Sequence, residues 1–272
     1  MKMKMDLRSF SFFLFVIVGF AVVPSESQET ENENEFSYLQ NSTLGPTHWG
    51  EIHKEWANCQ NGSMQSPINI VNENVDIDCR LDMFQRSYKP APPAVLINRG
   101  HDIMMKWKGN GEAGSINING TEYALQQLHW HSPSEHSIDG RKFAMELHMV
   151  HKSCEDMYAV VSMMYKIGEP NSFLAEIEES IDAIKKIDDG EEEIGIIDAG
   201  HVKRGTQKYY RYIGSLTTPP CSESVVWIIV KKIGTVSKHQ VELMRDAVHD
   251  HSDRNARPTQ AINSRVVKLY MP

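Results

Sequence analysis

Two histidines, His129 and His131, stand one residue apart, and a third, His148, closes the run Glu146-Leu147-His148. Side chains along a strand alternate faces with a period of two. If both runs are strands, Gln127, His129 and His131 share one face, and Glu146, His148 and Val150 share one face of the next. Paired side by side, such strands bring three imidazoles to one point. Three nitrogen donors with a fourth position left for water is the arrangement of a catalytic zinc site. Gln127 and Glu146 each precede a histidine by two positions, where they can accept its second N–H and fix its tautomer.

The competing reading is a polar, solvated sheet face, because a chain with 12 histidines contains His-x-His pairs by chance. Trp130, Leu147 and Met149 point the other way on the same runs, which implies strands partly buried on both sides. A third histidine and two polar supports on one face of otherwise apolar strands favour the metal.

The elements that must hold these residues are mostly strands. Short apolar runs are separated by the turn signals Lys89-Pro90, Pro92-Pro93, Asn98-Arg99-Gly100, Gly109-Asn110-Gly111 and Asn119-Gly120. That spacing predicts a sheet-dominated fold, and there is no internal repeat. The run SVVWIIV, Ser224 to Val230, reads as a strand buried on both faces, with Val225 and Trp227 on the same one. After Asn171, Phe173, Leu174, Ile177, Ile181 and Ile184 recur at helical spacing, with Gly190 beyond as a breaker. A second helix is expected from Ser237, with Gln240 as its capping-box partner and Val241, Met244 and Val248 as its apolar stripe. The acidic cluster from Asp188 to Glu193 reads as a solvated loop. Phe36 to Asn61 carries Trp49 and Trp56 among polar residues, which suggests an irregular arm packed by its aromatics.

A chain of 272 residues with 40% hydrophobic and 24% charged residues fits one large domain. A net charge of −8 without a basic stripe argues against a nucleic-acid partner. Lys2, Lys4 and Arg8 precede the apolar run Phe10 to Val23, followed by Pro24, Ser25 and Ser27. This pattern predicts a cleaved secretory signal over residues 1–27, too short for a membrane span. A flexible acidic leader over 28–35 and a folded domain over 36–272 follow from composition. The C-terminal run Val266 to Pro272 is too short for a lipid-anchor signal. The expected product is secreted, or carried to an organelle along that route, with no membrane contact after cleavage. In that setting Cys59, Cys79, Cys154 and Cys221 are disulfide candidates with three possible pairings. Asn41, Asn61 and Asn119 head glycosylation sequons, Asn119 in the most turn-like setting.

The run Ser134-Glu135-His136-Ser137-Ile138, then Phe143, then Glu146-Leu147-His148-Met149-Val150 resembles the α-class carbonic anhydrase signature over 17 positions. Gln65-Ser66-Pro67-Ile68, Asn98-Arg99-Gly100-His101, Gly214 to Pro220 and Asn255 to Gln260 agree in order, so the resemblance runs from about His48 to Tyr270. Ser132, where many relatives have tryptophan, is similar to the plant members. The resemblance implies a mainly β, single-domain fold: a large twisted mixed, mostly antiparallel sheet with a few short peripheral helices. It implies Zn2+ on His129, His131 and His148, with Gln127, Glu146 and Asn255 in support. The ion would bring the pKa of a bound water near neutrality, carbonic anhydrases being the reference case, and the hydroxide would convert carbon dioxide to bicarbonate and a proton.

Further roles are implied by the same resemblance. Thr217 would accept the hydroxide's hydrogen and pass its own to Glu135. Read alone, Thr217 is a turn residue before two prolines and Glu135 a surface carboxylate. Val150, Val160, Leu216, Val225 and Trp227 would form the apolar wall of the substrate pocket, with Thr217 and Thr218 beside it. His101, taken as an exposed imidazole with a pKa near 6.5, would shuttle the proton out. Cys59 and Cys221 would pair, contributing about 4–5 kcal/mol at most and tying down the Thr217 loop; Cys79 and Cys154 have no counterparts. Sulfonamides would inhibit. Glu51 stands where the family often has tyrosine after His-Trp-Gly, and Arg99 where it often has asparagine; both bear on proton transfer. The rival functions are a weak or silent storage or binding protein on this fold, and ester hydrolysis as a side activity. Three intact histidines with their supports favour the enzyme.

Overall fold

The computed structural model describes residues 35–272 apart from 80, 82–84, 91–92, 110, 186–189, 204, 206 and 249–251. The expected signal, the leader up to position 34, the turn residues Pro92 and Asn110, and Asp188 and Asp189 of the acidic cluster lie outside the described residues.

Ten strands form one continuous order. They are β1 (Asp76–Ile77), β2 (Ala94–Asn98), β3 (Ile103–Trp107), β4 (Thr121–His131), β5 (Met145–Lys152), β6 (Tyr158–Ile167), β7 (Glu191–Gly195), β8 (Tyr209–Ser215), β9 (Glu223–Val230) and β10 (Lys268–Tyr270). Across the sheet they run β7-β2-β3-β4-β5-β6-β9-β8-β10-β1. Neighbours are antiparallel except β6 with β9 and β10 with β1. The sheet is therefore mixed and mostly antiparallel, as expected. The segments Gln85–Tyr88, Gly114–Ile118 and Gly234–Val236 attach beside this path.

Period-two alternation divides the central strands between two cores. On β5, Met145, Leu147 and Met149 join the core that also holds Phe173, Ile181, Val241 and Met244, while Val150 joins a second core with Val160, Leu216, Val225 and Trp227. On β6, Val161 and Met163 go to the first and Val160 and Met164 to the second. Burying each such side chain contributes about 1.5–3 kcal/mol. Strand β4 is different. Tyr123 and Leu125 face the first core, but so do Leu128 and Trp130, so the alternation changes sign between them. A β-bulge is the cause: Leu125 pairs with His151 and Gln127 with Val150, leaving Gln126 as an extra residue. The bulge turns Gln127, His129 and His131 away from the helix-packed core.

The helices are α1 (Trp49–Ile52), α2 (Asn58–Asn61), α3 (Ser172–Ala175), α4 (Glu178–Ile184) and α5 (Lys238–Ala247), all short. The stretch read as one helix after Asn171 is two. Asn171 caps α3, and Ile177 leaves helical geometry (φ −126°, ψ 4°) before α4 begins. All five apolar residues remain in the first core, so the periodicity was set by packing and survives the break. At α5 the Ser237–Gln240 capping box forms as expected. The acidic cluster is corrected in part: Glu191–Gly195 is the edge strand β7, with Glu191 and Glu193 outward beside Lys106 and Lys108. Charge on an edge strand blocks further strand addition. The N-terminal arm is packed as expected, with Phe36, Tyr38, Trp49 and Trp56 gathered around the Cys59–Cys221 disulfide.

His151 lies fully buried between β4 and β6. Its Nε2 is 2.7 Å from the Tyr88 hydroxyl and its Nδ1 is 3.3 Å from the Ala159 carbonyl. Burial pushes its pKa down to about 4, against weaker support from backbone carbonyls. The unfolded chain takes up this proton near pH 6.5 and the folded chain only near 4. Stability is thus full above pH 6.5 and falls by about 3 kcal/mol toward pH 4. Urea midpoints of metal-free protein should drop over that window, and the drop should shrink by most of this amount in His151→Gln. Equal pH slopes for the two proteins would refute it.

Candidate metal centre

Strands β4 and β5 set His129 directly opposite His148, with His131 opposite Glu146. One donor nitrogen from each of His129, His131 and His148 lies within 4.8 Å of the others, all buried. The second nitrogen of each ring is occupied. His129 Nδ1 is 2.8 Å from Gln127 Oε1, His131 Nδ1 is 2.7 Å from the Asn255 carbonyl, and His148 Nε2 is 2.8 Å from Glu146 Oε1. These acceptors fix the tautomers, leaving lone pairs on His129 Nε2, His131 Nε2 and His148 Nδ1. His131 Nε2 is buried with no hydrogen-bond partner. Burial lowers the pKa of His129 and His148, keeping both rings neutral, the form that binds a metal. A three-imidazole set with an orphaned buried nitrogen fits Zn2+.

Glu146 is the hub of this face. Its Oε1 accepts from His148, from His136 Nδ1 (2.7 Å) and from the Ser162 hydroxyl (2.6 Å); its Oε2 accepts the His136 amide (2.8 Å). Burial would raise its pKa, but His136 and His148 hold it well below the usual carboxylate range. His136 Nε2 in turn meets the Tyr212 hydroxyl at 2.7 Å, and Tyr212 meets Ser66 Oγ at 2.7 Å. Asn255 is a second hub, since its side chain also holds the Ser132 amide and the carbonyls of His101 and Trp130.

Of the expected substrate wall, Val150, Val160, Leu216, Val225 and Trp227 fall in one buried cluster. Thr217 and Thr218 are buried beside Leu216, and Thr218 Oγ1 has no partner. The expected bond from Thr217 to Glu135 is not formed. Glu135 is fully buried, not a surface carboxylate: its Oε1 accepts the Arg257 amide at 2.8 Å and its Oε2 is left open, 3.6 Å from His131 Nε2. Cys59 and Cys221 are bonded across 162 residues, while Cys79 and Cys154 are free and exposed. Asn41, Asn61 and Asn119 are all exposed.

His101 is not the exposed imidazole expected. It is 2% exposed because the Phe36 ring packs on it at 4.8 Å, and burial depresses its pKa to about 4. Glu51 sits on the surface of α1, bonded to His48 and Gln60. Arg99 is buried and its fork holds Asp102.

Sequence reasoning missed Arg257, whose guanidinium bonds Gln65 Oε1, the Ser66 carbonyl and the Cys59 carbonyl at 2.9, 2.7 and 2.7 Å. Its presence in a block of the resemblance was the available signal. His136 had the same signal, within the signature; Tyr212 and Asp102 had none.

Comparisons with known proteins agree with this geometry. The model of the eukaryotic-type carbonic anhydrase family matches residues 44–271. Alpha carbonic anhydrase 7 of Arabidopsis thaliana is 51% identical over 238 residues, 88% of this chain and 86% of that one. A structure of dioscorin complexed with ascorbate is 40% identical, with a TM-score of 0.83 over 86% of this chain and 97% of that one. An α-carbonic anhydrase from Thermovibrio ammonificans with the inhibitor sulfanilamide is 31% identical, with a TM-score of 0.76 over 86% and 98%. The chain belongs to the eukaryotic-type carbonic anhydrase family.

Proposed function

We propose that the protein is a zinc enzyme that hydrates carbon dioxide reversibly to bicarbonate and a proton. The observation that carries this is the convergence of His129, His131 and His148, each with its second nitrogen already committed to an acceptor. When bound, zinc supplies a Lewis acid that deprotonates water near neutral pH and so provides a nucleophile. The cluster of Val150, Val160, Leu216, Val225 and Trp227 is an apolar wall suited to a small uncharged substrate. Glu135 Oε2, open and buried, is the acceptor available to the Thr217 hydroxyl, which would orient that nucleophile. His101 is the group through which the proton leaves. The disulfide and the three exposed sequons support passage through the secretory route, with residues 1–27 as signal, 28–35 as leader and 36–272 as the domain. Among the described residues no helix is long and apolar enough to cross a membrane.

The second reading is a binding role, favoured by the cover of Phe36 over His101 and by likeness to the ascorbate-bound dioscorin. Stopped-flow hydration before and after zinc chelation separates them. Zinc-dependent, sulfonamide-sensitive hydration is expected, with His101→Ala slowed about tenfold or more in dilute buffer and restored by imidazole. No hydration with zinc bound would sink the enzyme reading in favour of binding.

A further inference from the structure

We propose that Asp102, held by Arg99, is a positioning residue for His101: the anion against which this buried imidazole carries a proton. The proposal deepens the enzyme reading above and rests on it for the source of the proton.

His101 is buried with neither ring nitrogen hydrogen-bonded. Its backbone is held firmly. Asn255 donates to the His101 carbonyl at 2.9 Å, the Arg99 amide closes the turn on the Asp102 carbonyl at 3.0 Å, and the Gly100 amide meets Asn98 Oδ1 at 2.9 Å. Gly100 makes the turn with φ 75°, a conformation that side chains resist. The same Asn255 receives the N–H of the ligand His131, so the turn is tied to the metal centre through its backbone while the His101 ring stays uncommitted.

A charged imidazole in such a place is costly without a counter-charge. The charge present is Asp102, fully buried, with Oδ1 4.0 Å from His101 Nε2. A lone buried carboxylate would retain the proton too strongly. Arg99 moderates it through a two-pronged contact, Nε to Oδ1 at 2.8 Å and Nη2 to Oδ2 at 2.6 Å. The charged groups that act on His101 are Asp102 and Arg99, both from its own turn. Phe36, which covers the ring from the arm, adds none. Asp102 therefore favours the protonated ring, and Arg99 opposes it.

The test is histidine NMR titration of the full-length protein, zinc-loaded and metal-free, with His101→Ala identifying the resonance. Asp102→Asn should shift the His101 titration down and Arg99→Gln should shift it up, each by about one pH unit. The double variant Arg99→Gln/Asp102→Asn should return toward the parent and guards against failure of a single variant to fold. In dilute buffer Asp102→Asn should lose about tenfold in kcat with a smaller change in kcat/KM, and imidazole should restore it. Titrations that stay put in both variants, or move the same way, would show a purely structural pair and overturn the proposal. If the parent fails to hydrate carbon dioxide with zinc bound and imidazole present, the enzyme reading fails by itself, and the titrations still decide the role of Asp102.

Discussion

Replacing His129 with asparagine should abolish stoichiometric zinc binding and reduce carbon dioxide hydration to the uncatalysed background, with the fold intact. Zinc held by a few protein ligands gains on the order of 10 kcal/mol, so one ligand of three is worth roughly 3–4 kcal/mol, or about a thousandfold in affinity. The fold should survive because the bond lost is one to Gln127, a neutral amide. His131 and His148 are poorer choices for this test, since each also ties in another hub, Asn255 or Glu146. Metal content after dialysis against a chelator, with stopped-flow hydration on the same sample, gives the answer. Zinc retained at one per chain with hydration within tenfold of the parent would mean that the ion sits elsewhere.

Glu146→Gln should be nearly as damaging for a different reason. The substitution preserves volume, so no cavity arises, but it turns an acceptor of four hydrogen bonds into a group that is half donor. One amide hydrogen must then face the His136 N–H groups or the His148 ring. Weakening buried hydrogen bonds to a charged acceptor costs about 1.5–3 kcal/mol, and loosening a supporting acceptor weakens metal binding about 10–100-fold. Urea unfolding of the metal-free protein reads the first effect and chelator competition the second. A midpoint and a zinc affinity both equal to the parent's would show that Glu146 is not the hub its contacts describe.

Much of the site was legible because strand periodicity is simple. Placing Gln127, His129 and His131 on one face, and Glu146 and His148 on another, needed only the alternation of side chains. The same rule, however, would have put Leu125 beside Gln127, whereas the bulge puts them on opposite faces. A bulge leaves no composition signal in Leu125-Gln126-Gln127, so this part could not be read. The helix after Asn171 shows the reverse case. Its burial pattern was correct and its continuity was not, because a backbone break at Ile177 costs the core nothing. His101 was misjudged because exposure depends on what lies above a residue, and the cover comes from Phe36, sixty-five positions earlier. Arg257 was marked only by its place in a block of the resemblance, since its partners, the Gln65 side chain and the Ser66 and Cys59 carbonyls, are distant in sequence, and Asp102 adjoins another block but meets Arg99 only once the turn is folded.

The extra residue Gln126 works as a phase inverter in strand β4: the chain enters with its odd positions facing oil and leaves with its odd positions facing the three-histidine centre. The chemistry of this face therefore depends on the register with β5 as well as on residue identity. Substituting a histidine can silence the centre and leave the scaffold whole. Deleting Gln126 would leave Leu125 against His151 and Gln127 against Val150 in plain alternation and keep both faces, whereas slipping the histidine run by one position against β5 would send imidazoles into the helix-packed core and Trp130 to the opposite face. Chains on this scaffold can thus lose the metal by point changes far more readily than they can shift it along the strand.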